Sequence, residues 1–216
     1  MARKRVGILI SGRGSNMMAL VEAAHAPDYP AEIVTVISNR PNAAGLTWAA
    51  SQGIATLAID HKRFSKREEF EAELHAALMA ARVDFVCCAG FMRLMTPGFV
   101  NRWQGRMLNI HPSLLPSFKG LDTHGQALAA GVKITGCTVH FVVPEMDSGP
   151  IVAQAAVPVA DDDTTDTLAE RILVAEHKLY PHALKLIASG AARLDGQRVS
   201  GGNSVNQAAA LFSPQG

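Results

Sequence analysis

Asn109 and His111 stand two residues apart at the end of an apolar run, and Asp147 lies further along in the Gly- and Pro-flanked segment PEMDSGP. In an extended chain, residues i and i+2 point to one side, so Asn109 and His111 would face the same space. Pro112 restricts the backbone of His111 and ends the strand. An imidazole beside a side-chain amide suits transfer of an acyl carbon to an amine. The ring shuttles protons, and the amide N–H stabilises the oxygen that becomes negative. A histidine used this way needs a carboxylate to orient it and balance its charged form. Asp147 is the candidate, with Gly149 and Pro150 shaping its turn. The competing reading is structural, with His111 a hydrogen-bonded residue before a proline and Asp147 a turn cap. His25, His61, His75 and His182 read as surface or helix-end residues, and His140 as one alternating position of a strand. His124, beside Asp122 and Thr123, marks a candidate helix start. No H-E-x-x-H or other ligand spacing occurs, so no catalytic metal is expected.

A second candidate is ISGRGSN at Ile10–Asn16, where a first strand turns into a first helix. Backbone amides at such a turn form an anion site, which Gly14, Ser15 and Asn16 would supply. The dinucleotide fingerprint fails, because Met17 stands at the third glycine position and Ser38–Asn39 stand where an acidic ribose ligand belongs. An ATP-type phosphate loop is also missing its Lys-Ser/Thr pair. A mononucleotide or sugar-phosphate site remains, as does a tight turn that binds nothing.

These residues need a scaffold. Short β-branched runs at Val6–Ile10, Ile33–Ser38, Thr56–Ile59, Phe85–Ala89 and Met107–Ile110 alternate with helical stretches starting near Asn16, Ala43, Lys66 and Pro97. That alternation predicts a parallel α/β sheet covered by helices. Within Glu68–Leu78, Phe70, Leu74 and Leu78 share one helical face. Thr135–Val143 and Ile151–Val159 are joined by too few residues for a helical crossover and should pair as an antiparallel hairpin. A long helix follows, opened by Asp163 or Thr164 and carrying Leu168, Ile172, Ala175 and Leu179. Pro181 would kink or interrupt it. The expected organisation is one catalytic domain over 1–200, with a mononucleotide-binding half at 1–110 and a catalytic half at 111–200. A weakly ordered tail is expected at 201–216.

Composition narrows the function classes. Twenty basic against nineteen acidic residues leave a net charge of +1, without the excess a polyanion-binding protein needs. The basic run Arg3–Arg5 reads as a solvated strand flank or an anion contact. No apolar run is long enough to span a bilayer, and residues 1–5 begin no secretory signal, so a cytoplasmic location is expected. Cys87, Cys88 and Cys137 are odd in number, contain no C-x-x-C pair and read as small core residues.

Five segments in this order and spacing resemble the glycinamide ribonucleotide formyltransferases: ISGRGSN, CAGFMRLM at Cys88–Met95, LNIHPSLLPSFKGLDTHGQAL at Leu108–Leu128, GCTVHFVVPEMDSGPI at Gly136–Ile151 and AEHKLYP at Ala175–Pro181. The resemblance reaches to about Gln197. It implies a mostly parallel Rossmann-like sheet with a C-terminal antiparallel hairpin and long helix. The implied activity is transfer of the formyl group of 10-formyltetrahydrofolate to glycinamide ribonucleotide, with no metal, no nucleic acid and no membrane. By the same resemblance the catalytic trio falls on Asn109, His111 and Asp147, and the phosphate on Gly14, Ser15 and Asn16. Glu176, at the end of Leu173, Val174 and Ala175, would meet the ribose. The folate would meet Arg67, Met92, Arg93, Leu94, Met95, Asn109, Val142 and Val143. The tRNA formyltransferases are expected to carry a further C-terminal domain, and the formyltetrahydrofolate hydrolases an N-terminal regulatory domain. A hydrolase stays the alternative because the trio alone does not fix the acceptor. A non-catalytic nucleotide-binding protein is the rival from another class.

Overall fold

In the first strand, Val6, Ile8 and Ile10 belong to one hydrophobic core and Leu9 to another, the alternation of a strand buried on both faces. The computed structural model describes residues 2–202 and Ser213. Its main sheet has seven strands: β1 (Lys4–Ile10), β2 (Ala31–Ser38), β3 (Ala55–Ala58), β4 (Phe85–Cys88), β5 (Met107–His111), β6 (Ile134–Phe141) and β7 (Ile151–Pro158). Their order is β3-β2-β1-β4-β5-β6-β7. The first five are mutually parallel, and β6 and β7 add antiparallel to β5 and β6.

Helices α1 (Ser15–Ala24), α2 (Ala44–Ser51), α3 (Arg67–Ala80), α4 (Pro97–Arg102), α5 (Thr123–Ala129) and α6 (Thr165–Ser189) cover the two faces. Residues of α1, α2, α5 and α6 join the larger core, and those of α3 and α4 the smaller one. Phe70, Leu74 and Leu78 are buried together, as their spacing predicts. Cys87, Cys88 and Cys137 are free thiols at most 3% exposed. Burial pushes the pKa of Cys87 and of Cys137 up to about 12.

Three local features depart from the sequence reading. Pro181 lies inside α6 without ending it. It removes one helical donor, but Leu179, Tyr180, Ala183 and Leu184 around it are buried against the sheet. Tyr180 also donates to the carbonyls of Cys88 and Leu108, clamping the ends of β4 and β5. Of the basic run, Lys4 is solvated as a strand flank, but Arg3 and Arg5 are tied to acceptors within the protein. Arg3 caps the carbonyls of Ala24 and Tyr29, while Arg5 meets Glu32 and the carbonyl of Ala81. Finally, β8 (Ala192–Asp195) and β9 (Arg198–Gly201) form a separate hairpin turning at Gly196. Gly201, at the start of the expected tail, pairs with Ala192. Of that tail, 203–212 and 214–216 lie outside the described residues. Among the described residues, no helix is long and apolar enough to cross a membrane.

Candidate active site

The sheet order reverses direction of winding between β1 and β4, and loops leaving the carboxyl ends of such neighbouring strands diverge to leave a crevice. Gly12–Asn16 follows β1, and Gly90–Met95 follows β4. Between them lies a cleft of about 270 Å³ lined by residues 11–16, Arg40, Ala89, Gly90 and Met92. Gly14, with φ of 71°, precedes the first turn of α1. Glycine adopts that left-handed conformation without the steric cost other residues meet. A Cβ there would also lie 2.9 Å from Met17 Cε. Among the described residues, neither Arg13 nor Arg40 forms a side-chain ion pair, so both guanidinium groups at the cleft are uncompensated.

Glu176 reaches this region from α6. Its Oε2 accepts a 2.7 Å hydrogen bond from Asn16 Nδ2, and both residues are buried. Burial raises the pKa of Glu176 to about 6, against the opposing effect of Asn16. Asn16 Oδ1 has no protein partner. Ala175, by contrast, packs on the main core, Leu173 is half-buried, and Val174 points out at 58% exposure.

One strand further along, β5 delivers Asn109 and His111, and the antiparallel register sets His140 opposite Asn109 and Thr138 opposite His111. Opposed residues project from the same face. His140 Nδ1 is 2.9 Å from the Phe141 carbonyl, which can only accept, so Nδ1 carries the proton. Burial lowers the pKa of His140, opposed by the Phe141 carbonyl and Asp147. The neutral ring thus offers Nε2 as acceptor to Asn109 Nδ2 at 3.3 Å, which fixes the Asn109 amide with one N–H left over.

His111 is 5% exposed. Its Nε2 donates to the Phe118 carbonyl at 3.0 Å, and its Nδ1 lies 3.5 Å from Asp147 Oδ2. The Phe118 carbonyl can only accept, so Nε2 carries a proton and Nδ1 is the nitrogen turned toward the carboxylate. Asp147 sits at φ of 50°, and its Oδ2 also accepts from Gly120 N–H at 2.9 Å. Its turn returns to β6 at Gly149, where a Cβ would stand 1.8 Å from the Phe141 carbonyl oxygen, so only glycine fits. The loop after β5 is folded back by Thr138, which donates to Ser113 O and accepts from Leu115 N–H.

The remaining residues expected at the folate spread around the second loop. Met92 and Leu94 are 68% and 63% exposed, while Met95 and Val142 pack against the smaller core and Val143 is half-buried. Arg93 lies over the Phe70 ring of α3, and Arg67 is exposed at the start of that helix. The structure brings Asn109, His111 and Asp147 together, and joins Glu176 to the glycine loop. It adds Ser11, Arg13, Arg40 and His140, which sequence reasoning passed over. His140 is recognisable only once the β5–β6 register is known. Among the described residues, no group of three or more His, Cys, Asp or Glu is placed to hold a metal.

Comparison with known proteins identifies the family. A family profile described as "Formyl transferase" matches residues 4–184. The "Trifunctional purine biosynthetic protein adenosine-3" of Bos taurus is 52% identical over 192 residues, 89% of this chain but only 19% of that protein. This chain therefore spans about a fifth of that relative's length. The "Phosphoribosylglycinamide formyltransferase" of Escherichia coli is 42% identical over 199 residues, covering 89% of this chain and 94% of that one. The crystal structure of glycinamide ribonucleotide transformylase 1 from Symbiobacterium toebii superposes with a TM-score of 0.89 at 45% identity, over 92% of this chain and 94% of that one. A family match over residues 4–184 and relatives covered along nearly their whole length place the chain in the formyl transferase family, among its phosphoribosylglycinamide formyltransferases.

Proposed function

We propose that this chain transfers the formyl group of 10-formyltetrahydrofolate to the amino group of 5'-phosphoribosylglycinamide in purine biosynthesis, acting in the cytoplasm on small-molecule substrates. The observation that carries the reading is the convergence of Asn109, His111 and Asp147 on one sheet edge, next to a cleft whose glycine loop and arginines suit a phosphate. In this reading Gly14, Ser15 and Asn16 hold the phosphate and Glu176 accepts from the ribose hydroxyls, with Leu173–Ala175 alongside. The folate lies along Met92–Met95, Val142 and Val143, with Arg67 and Arg93 toward its carboxylates.

The folate supplies a formyl carbon that the amine attacks. The spare N–H of Asn109 points at the formyl oxygen and stabilises the charge that develops there. His111 takes the amine's proton at Nδ1, and Asp147 balances the imidazolium. The same ring then returns the proton to the departing folate nitrogen, so it ends the cycle neutral.

The deciding experiment follows deformylation of 10-formyltetrahydrofolate by absorbance with no acceptor, with glycinamide, and with glycinamide ribonucleotide. Remote phosphate and ribose contacts hold the amine in reactive geometry, so only the full ribonucleotide should raise the rate sharply. Equal rates in all three mixtures would sink the transferase reading and leave a formyltetrahydrofolate hydrolase.

Glu176 gives a pH signature. Its carboxylate accepts from hydroxyls at both oxygens, whereas protonation removes the charge and turns one oxygen into a donor, so ribonucleotide affinity should fall as pH drops through about 6. Between pH 7.5 and 5.5 the loss should be about fourfold if only the ionised form binds. The ligand's phosphate titrates near the same pH. Glu176→Gln is therefore the control, and should retain only the phosphate's share. Identical pH profiles for both proteins would remove Glu176 from ribose binding.

A further inference from the structure

The two loops that bound the cleft are joined by one buried hydroxyl. Ser11, 3% exposed at the end of β1, accepts a 2.8 Å hydrogen bond from Met92 N–H and donates at 2.6 Å to Asn39 Oδ1. Its own N–H donates to Gly90 O at 3.1 Å. A hydroxyl has a single proton, and here it is committed to Asn39, which leaves the lone pairs for Met92. Asn39 is itself 2% exposed at the end of β2.

The loop on the other side packs on the smaller core through Phe91 and Met95 and on the Phe70 ring through Arg93, but has few polar ties. Among the described residues, the backbone of 91–95 makes no hydrogen bond to other backbone groups. Met92 and Leu94 extend into solvent and supply no packing anchor. Its hydrogen-bond anchors are Ser11, at Met92, and the buried carboxylate of Glu71, which accepts from Thr96 N–H and Thr96 Oγ1. Only the Ser11 anchor belongs to the glycine loop. Glu71 lies on α3, away from it.

We propose that Ser11 is a positioning residue that couples the two half-sites, so that ribonucleotide and folate each bind more tightly when the other is present. The inference rests on the function proposed above. A phosphate held by Gly14–Asn16 orders the chain that begins at Ser11, and an ordered Ser11 presents Met92 N–H in place. Folate lying on 91–95 orders the same hydrogen bond from the other end. The ordering is then shared, and linkage requires the effect to be reciprocal.

The test uses calorimetric titration with tetrahydrofolate, which carries no formyl group and cannot turn over, in the absence and presence of saturating glycinamide ribonucleotide. Wild-type protein should show a ratio of dissociation constants of at least about five, at the low end of measured couplings. In Ser11→Ala, both ligands should still bind singly, but the ratio should fall to within about twofold of unity. Glu71→Gln loosens the other anchor and should weaken tetrahydrofolate binding while keeping the wild-type ratio. A role for Ser11 in general stability alone would lower the melting temperature and weaken both ligands without changing the ratio. A wild-type ratio of one, an unchanged ratio in Ser11→Ala, or equal loss in both variants overturns the proposal. Failure of the wild type to bind ribonucleotide at all would overturn the parent function, and this inference with it.

Discussion

Asp147→Asn is expected to lower turnover by about two to four orders of magnitude while leaving the fold in place. The backbone tolerates the change because Asp147 sits at φ of 50°, a conformation asparagine adopts more readily than most residues. The amide oxygen can still accept from Gly120 N–H, so the turn keeps its tie to the loop after β5. What disappears is the negative charge 3.5 Å from His111 Nδ1. Without it a protonated His111 would be left buried with no counter-charge, and the proton-accepting step becomes the costly one. Steady-state rates together with thermal melting would decide the matter. A variant that melts like the wild type yet keeps more than about half its turnover would rule out the His111–Asp147 relay.

Gly14→Val should weaken ribonucleotide binding by roughly 10- to 100-fold, the equivalent of 1–3 kcal/mol of local strain, and leave tetrahydrofolate binding nearly unchanged. A β-branched residue is a poor occupant of φ 71°, and its Cβ would press on Met17 Cε and Ile10 Cγ2. The loop would relax away from the geometry that presents its amides to a phosphate. Titrations of each ligand alone separate this from misfolding, for which both affinities would fall together.

How much of this was legible in the sequence depended on the range of each signal. The parallel strands and the hairpin followed from local hydrophobic period, and their ends moved by only one or two residues. Asn109 and His111 were recognisable because i and i+2 on a strand share a face whatever the tertiary context. His140 was not, since its value comes from standing opposite Asn109 across a register that a single strand does not encode. The same holds for Ser11, whose two partners are 28 and 81 residues away. That Pro181 does not interrupt α6 was hidden because helix propensity is a local quantity, whereas the burial of Leu179, Tyr180, Ala183 and Leu184 is not. The β8–β9 hairpin was missed although its two-residue loop, Gly196-Gln197 between paired Asp195 and Arg198, opens on a glycine at positive φ. The weak composition around it hid the short strands.

The three thiols have a consequence for how the molecule can be watched. Cys87 and Cys88 lie in β4 and Cys137 in β6, on either side of β5, and each is sealed from solvent. A thiol held in the protonated form and shielded in this way does not react with alkylating reagents until the strand around it opens. Alkylation of the native chain is therefore gated by the separation of the central strands, and slow labelling followed residue by residue reads the free energy of that opening without any introduced probe. Because the three sites flank the strand that carries Asn109 and His111, ligands that bridge the cleft should slow all three reactions together, making the core of the protein its own reporter of occupancy.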